Sequence, residues 1–278
     1  MIVVGVDGSQ AALVAAEWAV REAAMRGVTV RLVHVMPALD PPVGLFSDEV
    51  RRWVRKHAAF VLSDALQHVR EQEREVEAHS QVLTGDPRLA LIRASKDAEL
   101  LVVGSHGTGG FWEQLAGSVA LGVPGQASCP VVIARALPER PRNEVVVGVH
   151  GSAGGRAATD FAFAEAALRG AELHAIRAWS PASGSLATGY TRESSGQRRL
   201  LTATVGHIRA RYPGVKLVER LVRGHPVDVL LSASAGAALL VVGSRGRGPV
   251  TAFFGSISHA LVQYATCPLV VIAVADED

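Results

Sequence analysis

The feature that most constrains the fold of this 278-residue chain is an internal repeat that runs along nearly its whole length. The sequence VVGVDGS at 3–9 returns as VVGVHGS at 146–152, and LLVVGSHG at 100–107 returns as LLVVGSRG at 239–246. Matching segments in the same order and at a similar spacing indicate two copies of one module.

Each copy has the length of an ordinary single domain, so the chain is long enough to form two separate cores. We expect the first domain at residues 1–137 and the second at 144–278. The segment at about 138–143, rich in Pro and charged residues, is typical of a linker.

Short Val- and Ile-rich runs alternate with amphipathic segments in each copy. In the first copy we predict strands at 2–6, 29–35, 76–83, 100–104 and 130–135. Helices are predicted near 10–26, 48–73, 87–97 and 117–127. The strands are apolar on both faces, which favours a parallel sheet covered by helices on both sides. The fold class is therefore α/β, with two tandem doubly wound parallel five-stranded sheets of order 3-2-1-4-5.

Two segments that follow the second strand of each copy, at 37–47 and 181–197, are rich in Pro, Gly and Ser and are predicted to be loops. His34 and Trp53 are interpreted as packing residues, because a histidine or tryptophan at such positions is more often part of a core than of a site.

Composition excludes several functional classes. The chain has 28 Lys and Arg against 26 Asp and Glu, so it has no basic field for nucleic acid. No run of residues is apolar and long enough to span a membrane, and the first residues do not resemble a signal peptide. We therefore expect a cytoplasmic protein with no nucleic-acid or membrane partner.

The chemistry is expected at the carboxyl ends of the first and fourth strands. Strands one and four are neighbours in the predicted order, at the point where the winding reverses and where doubly wound sheets bind ligands. Asp7 follows strand one, and residues 104–107 follow strand four with a Gly-x-x-Gly pattern. Such glycines allow backbone N–H groups to surround an anion. The alternatives are that Asp7 only stabilises a tight turn and that the glycines only permit one.

These residues resemble the ATP-binding branch of the universal stress protein family, and the resemblance extends over both copies. That branch has Gly-x2-Gly-x9-Gly-Ser/Thr after its fourth strand. Gly104, Gly107, Gly117 and Ser118 match this pattern with the full spacer of nine residues. The resemblance implies the fold of the adenine-nucleotide alpha-hydrolase-like domains.

It also implies ATP as the ligand, with magnesium as an accompanying ion. Asp7 would bond the ribose or help to hold magnesium, and Val35 would contact the adenine through its backbone. The glycine loop and the start of the next helix would hold the phosphates. The implied site residues are Gly5, Asp7, Val35, Val103, Gly104, Ser105, His106, Gly107, Thr108, Gly109, Gly117, Ser118 and Val119.

The second copy departs from this pattern at two points. His150 replaces the aspartate, and the spacer after Gly246 has eight residues, one of which is Pro249. Arg245 and Arg247 could compensate by pairing with phosphates, and Trp179 could stack near a base. The corresponding site residues are Gly148, Ala178, Gly243, Ser244, Arg245, Gly246, Arg247, Gly255, Ser256 and Ile257.

Signatures of fast ATP turnover are missing, because the chain has no P-loop lysine pattern and no recognisable metal or nucleophile motif. We expect a nucleotide-dependent regulator or sensor. A slow ATP hydrolase and a nucleotide-free, dimerising interaction scaffold remain as alternatives. The last strand of each copy, CPVVIA and CPLVVIA, is expected at a sheet edge, where relatives pair. This expectation predicts pairing of the two domains within the chain and a homodimer.

Overall fold

The computed structural model describes residues 1–38, 47–107, 116–180, 187–244 and 255–274, except for the side chains of 187–192. The chain forms two compact units, Met1–Arg135 and Ala136–Asp278.

The first unit alternates strands and helices, as the sequence predicts. Its strands are β1 (Ile2–Gly5), β2 (Val30–Met36), β3 (Ala78–Thr84), β4 (Leu100–Gly104) and β5 (Val131–Ala134). Its helices are α1 (Gln10–Arg26), α2 (Asp48–Gln72), α3 (Pro87–Ala94), which a short 3-10 turn (Ser95–Asp97) follows, and α4 (Ser118–Gly122). All the strand pairs are parallel, in the order β3-β2-β1-β4-β5.

The second unit repeats this arrangement. Its strands are β6 (Arg142–Gly148), β7 (Glu172–Trp179), β8 (Leu217–Arg223), β9 (Ala237–Ser244) and β10 (Leu269–Ala273). Its helices are α5 (Ala153–Arg169), α6 (Ala187–Arg209), α7 (Pro226–Ser234) and α8 (Ser256–Tyr264). The order β8-β7-β6-β9-β10, again parallel throughout, confirms the predicted doubly wound fold with the third strand at one edge.

The helices of the first unit form two pairs, since α1 contacts α2 and α3 contacts α4. The chain passes from β1 to β2 and β3 through α1 and α2, and then to β4 and β5, on the other side of β1, through α3 and α4. Because each crossover is right-handed, this change of direction places the two helix pairs on opposite faces of the sheet. The central strands are consequently buried on both sides, and every residue from Leu100 to Val103 is at most 2% exposed.

The helix after the first strand has the same ends in both units. A serine caps its N-terminus by accepting from a backbone N–H three residues later, over 3.1 Å from Ala12 N to Ser9 Oγ and 3.1 Å from Gly155 N to Ser152 Oγ. A glycine in the left-handed region ends it, with φ of 66° at Gly27 and 57° at Gly170. The repeat is therefore preserved at the level of single capping interactions.

Three details differ from the sequence-based predictions. The segment predicted as a loop at 181–197 is helical from Ala187, because α6 extends back from an apolar stripe that includes the buried Leu201 and Val205. The helix predicted at 117–127 ends at Gly122, since Pro124 has no backbone N–H with which to continue the helical hydrogen bonds. Strand β6 begins at Arg142, within the segment predicted as a linker.

Candidate functional site

Asp7 and the glycine loop of the first unit meet at the carboxyl ends of β1 and β4, which are adjacent strands. Asp7 Oδ1 accepts a hydrogen bond from the backbone N–H of Ser9 over 3.0 Å. The other oxygen, Oδ2, lies so close to Gly107 that a Cβ on that glycine would meet it at 2.5 Å. The structure thus brings together two predicted site residues that are a hundred positions apart in the sequence.

Helix α1 also crosses the end of β4 at short range. A Cβ on Gly104 would lie 2.7 Å from the carbonyl oxygen of Ala11, so only glycine fits there without displacing the helix. The turn between β1 and α1 requires a second glycine, Gly8, whose φ is +85°. Close packing therefore positions the amino end of α1 beside the glycine loop.

The far end of the glycine loop is fixed by a backbone hydrogen bond from Gly117 N–H to Ser105 O, over 2.9 Å. Gly117 is the N-cap of α4, and the half-buried Val119 follows the exposed Ser118 in its first turn. Ser105 Oγ and His106 Nδ1 are 3.0 Å apart. The predicted site residues Thr108 and Gly109 lie outside the described residues.

The backbone of Val35 lies past the carboxyl end of β1. The N–H of Val6 donates to the carbonyl of Val33 over 2.9 Å, so Val33 directs its backbone groups toward β1. Backbone direction alternates along a strand, which gives Val35 the same direction as Val33. Because β1 ends at Gly5, the N–H and carbonyl of Val35 are directed past the end of β1 rather than to a strand partner on that side.

Gly5 and Val103 lie beneath this site. A Cβ on Gly5 would approach Leu91 Cδ1 at 3.0 Å and Val103 Cγ1 at 3.5 Å, and Val103 is 2% exposed. These two residues are packed beneath the carboxyl ends of β1 and β4.

Sequence reasoning missed a group of rings at the end of β2. Trp53 and His57, one turn apart on α2, stack with ring centroids 5.4 Å apart and an interplanar angle of 2°. His57 in turn meets the edge of His34 at 6.3 Å. Trp53 was predicted to pack, and it does stack on His57, but its side chain is 66% exposed. The i, i+4 spacing of Trp53 and His57 is the sequence signal that could have identified the pair.

In the second unit the corresponding strand ends line a cleft of ≈ 530 Å³, within the size range of small-molecule sites. The predicted site residues among its lining are Gly148, Ala178, Gly243, Ser244, Gly255, Ser256 and Ile257. Arg245, Gly246 and Arg247 lie outside the described residues. The backbone of Ala178 has the same direction as that of Val35. Val149 N–H donates to Ile176 O over 2.8 Å, so Ile176 and, two residues later, Ala178 direct their backbone groups toward the side of β6.

His150 occupies the position of Asp7 and makes the same local interaction. Its Nδ1 accepts from the backbone N–H of Ser152 over 3.3 Å. Trp179 lines the cleft but is 6% exposed, so only a small part of its ring is accessible to a base.

The family model described as the universal stress protein family matches residues 1–135 and again residues 141–273. The chain belongs to the universal stress protein family.

Curated relatives align over nearly the whole tandem protein. A universal stress protein of Mycobacterium tuberculosis is 35% identical over 285 residues, covering 97% of this chain and 95% of the relative. One from Mycolicibacterium smegmatis is 32% identical over 282 residues, covering 98% and 96%. The crystal structure of a universal stress protein from Archaeoglobus fulgidus has the same fold, with a TM-score of 0.76, 20% identity and coverage of 98% and 97%.

The first universal stress protein domain offers one carboxylate to a metal ion. Among the described residues no three His, Cys, Asp or Glu side chains form a metal-binding group. A magnesium site that phosphate oxygens and water complete takes one or two carboxylates from the protein, and Asp7 would supply one. No helix in the described part of the chain combines the length and apolar character that crossing a bilayer requires.

Proposed function

We propose that the first domain binds ATP and that the protein works as a nucleotide-dependent regulator or sensor in the stress response. The observation that carries this proposal is the contact between the Asp7 carboxylate and Gly107 at the switch point of the sheet. A carboxylate beside a loop of unhindered amides suits a ligand that has both hydroxyl groups and phosphates.

Each part of the site has a role in this proposal. The backbone of Val35 pairs with the edge of the base, and Asp7 accepts from ribose hydroxyls or holds magnesium against the phosphates. The amides of the glycine loop and the hydroxyl of Ser118 bind phosphate oxygens. The ribose of the ligand and its phosphates would thus engage different loops at once.

A regulatory role follows from this geometry by mass action. ATP contacts the β1–α1 turn and the β4–α4 loop simultaneously, so it binds more tightly to any conformation in which both are in place. A ligand with such differential affinity shifts the conformational or assembly equilibrium without any chemical step.

The test is calorimetric titration of the full chain with ATP and magnesium. We expect Asp7→Ala and Gly107→Ala each to weaken ATP binding by the first domain at least about tenfold. The binding component of that domain should then disappear from the titration. The Cβ of Gly107→Ala would displace the Asp7 carboxylate, so both variants act on the same contact.

Matched controls are available on the surface helices. Asp64→Ala removes an exposed carboxylate from α2, and Gly206→Ala adds a methyl group to α6, where nothing lies within 4 Å. Both should bind ATP as the unmodified chain does. Unchanged ATP stoichiometry and affinity in Asp7→Ala and Gly107→Ala would remove this site from consideration.

A further inference from the structure

Helix α2 of the first domain carries two exposed aromatic side chains. Trp53 is 66% exposed and Phe60 is 68% exposed, the highest values for large apolar side chains among the described residues. The two residues are seven positions apart, so they lie on one side of the helix, with the exposed Lys56 between them. The buried residues of α2 are on the opposite side; they are Ala58, Val61, Leu62, Ala65 and Val69. Packing on the sheet therefore leaves the outer face of α2, defined by Trp53, Lys56 and Phe60, in solvent.

The second domain packs the equivalent helix, α6, without aromatic residues at these positions. Val61 and Leu200 occupy the same place, because each is the side chain that a Cβ on the glycine between the first strand and the first helix would meet, at 3.2 Å in both domains. In this alignment Arg192 and Arg199 stand where α2 has its two aromatic residues. Exposed rings are consequently not required to hold this helix on the sheet.

Cations flank the two rings of α2. Four of the six residues at 51–56 are Lys or Arg, and three of them, Arg52, Arg55 and Lys56, are exposed. These three side chains form no hydrogen bond or ion pair within the described part of the chain. The two carboxylates of the first turn leave the first half of α2 with a net charge of +2. The charge of this surface suits an anionic partner.

The shape of the outer face of α2 favours a lipid surface over an acidic protein. Aromatic rings flanked by cations are typical of helices that lie on anionic membranes, where the rings enter the interfacial region and the long cationic side chains reach the headgroups. The outer face is a convex ridge, because the buried residues of α2 all lie on its other side. An acidic protein would need a groove that matches this ridge, whereas a lipid surface adapts to it.

We propose that the outer face of α2 docks on a membrane surface that contains anionic lipids. The two rings enter the headgroup layer, and the three exposed cations contact lipid phosphates. The expectation of no membrane partner depends on the balanced total charge and on the lack of a membrane-spanning run, and a local patch of cations and rings changes neither. The proposal does not depend on ATP binding by either domain.

The test is sedimentation of the full chain with vesicles of phosphatidylcholine, prepared with and without phosphatidylglycerol. We expect binding only where phosphatidylglycerol is present, and weaker binding at high salt, which screens exposed charges. Phe60→Ala should weaken vesicle binding about tenfold, because it removes a ring from the interface. Lys56→Ala should weaken it about fivefold, the usual contribution of one cation near an anionic surface.

Matched controls come from the second domain. Tyr264→Ala removes a ring that is 58% exposed, and Arg199→Ala removes an exposed cation from the position that corresponds to Phe60. Both variants should bind vesicles as the unmodified chain does. Thermal melts of all four variants should agree with that of the unmodified chain, since each changed side chain is exposed.

Tryptophan fluorescence separates insertion of the rings from adsorption by charge alone. Lipids brominated near the headgroup end of their acyl chains should quench the emission of the unmodified chain in anionic vesicles. Trp53→Phe keeps an apolar ring on the outer face of α2, so it should retain vesicle binding but lose most of this quenching.

Failure of the unmodified chain to sediment with phosphatidylglycerol vesicles would overturn the proposal, and so would equal binding to neutral vesicles. Equal losses in Phe60→Ala and Tyr264→Ala would also overturn it, because they would show that α2 makes no contact of its own. Retention on immobilised polyglutamate without vesicle binding would assign the outer face of α2 to an acidic protein instead. Failure of ATP binding is a separate outcome, because it appears in calorimetry without vesicles.

Discussion

At the end of the first strand one domain has Asp7 and the other has His150, and both accept a hydrogen bond from the backbone N–H two residues later. The turn therefore needs an acceptor at this position but not a carboxylate. What the carboxylate adds in the first domain is charge beside the glycine loop, whereas the second domain has an imidazole there and the positive charge of Arg177 nearby. Duplication has kept the turn and changed the electrostatics of the cleft.

The largest expected effect tests how closely the first helix approaches the sheet in each domain. The first turn contains Ala11 and Ala12 in α1 but Gly154 and Gly155 in α5. A Cβ on Gly155 would lie 2.1 Å from His150 O, and one on Gly154 2.5 Å from Ser244 O. We expect Gly155→Ala to lower the free energy of unfolding of the second domain by more than about 3 kcal/mol, in denaturant titrations followed by circular dichroism.

The reciprocal change, Ala12→Gly, is the matched control. It should cost only about 1 kcal/mol, the usual difference in helix propensity. Helix propensity alone predicts that Gly155→Ala raises the free energy of unfolding, whereas the close approach of the helix predicts that it lowers it. The sign of the measured change therefore shows which effect is larger. A stabilised Gly155→Ala chain would show that α5 approaches the strand no more closely than α1 does.

A second prediction concerns what the domains share. Glu22 in α1 and Glu165 in α5 are each 1% exposed and each pairs with an arginine one turn later, Arg26 and Arg169. Removing one partner of a buried ion pair takes away the interaction that offsets the desolvation of the other charge. Glu22→Ala and Glu165→Ala should each lower the free energy of unfolding by about 3 kcal/mol.

Surface pairs offer the comparison for this experiment. Asp160 pairs with Arg211 where both side chains are at least 40% exposed, so Asp160→Ala should cost under about 1 kcal/mol. A large effect of the buried glutamate in only one domain would mean that the two helices are not anchored in the same way.

The sequence was sufficient for the strands, their order and the convergence of Asp7 with Gly107, because apolar runs and a repeated glycine spacing are local signals. It was insufficient for α6, whose first turns contain Gly189 and Gly196 and are helical only because the later, apolar part of the helix packs. The contact between His34 and His57 also escaped prediction, since it depends on the rotation of α2 over β2. The hydrogen bond that His150 Nδ1 accepts from Ser152 N–H is also not revealed by composition.

The rings of Trp53, His57 and His34 allow a test that applies to the first domain, because Arg177 takes the place of His34 in the second domain. If an adenine bound near Val35 extends to these rings, stacking contributes about 1 kcal/mol. We expect Trp53→Ala to weaken ATP binding by the first domain about fivefold in calorimetric titrations, with unchanged stoichiometry.

Phe60 is the control for this prediction, since it is an aromatic residue of the same helix and is 68% exposed. Phe60→Ala should leave ATP affinity as it is. Equal losses in the two variants would indicate a general change in α2 rather than contact between Trp53 and the nucleotide.

The smallest expected effect concerns the N-cap of the third helix in each domain. Asp86 Oδ1 accepts from the backbone N–H groups of Arg88 and Leu89 over 3.0 and 3.1 Å, whereas the corresponding His225 makes no side-chain cap. We expect His225→Asp to raise the free energy of unfolding of the second domain by about 1 kcal/mol at pH 7.

The pH dependence of that gain distinguishes a cap from a general charge effect. Hydrogen bonds from Arg88 and the backbone lower the pKa of Asp86 from its usual 3.8. A carboxylate with a lowered pKa stabilises the fold above its unfolded value and loses this contribution as the pH falls through the folded one. The gain from His225→Asp should therefore be complete at pH 7 and be lost as the pH falls through the pKa of the folded capping carboxylate, in thermal melts compared with the unmodified chain. A gain that persists in acid would show that the new side chain stabilises α7 by some means other than an ionised cap.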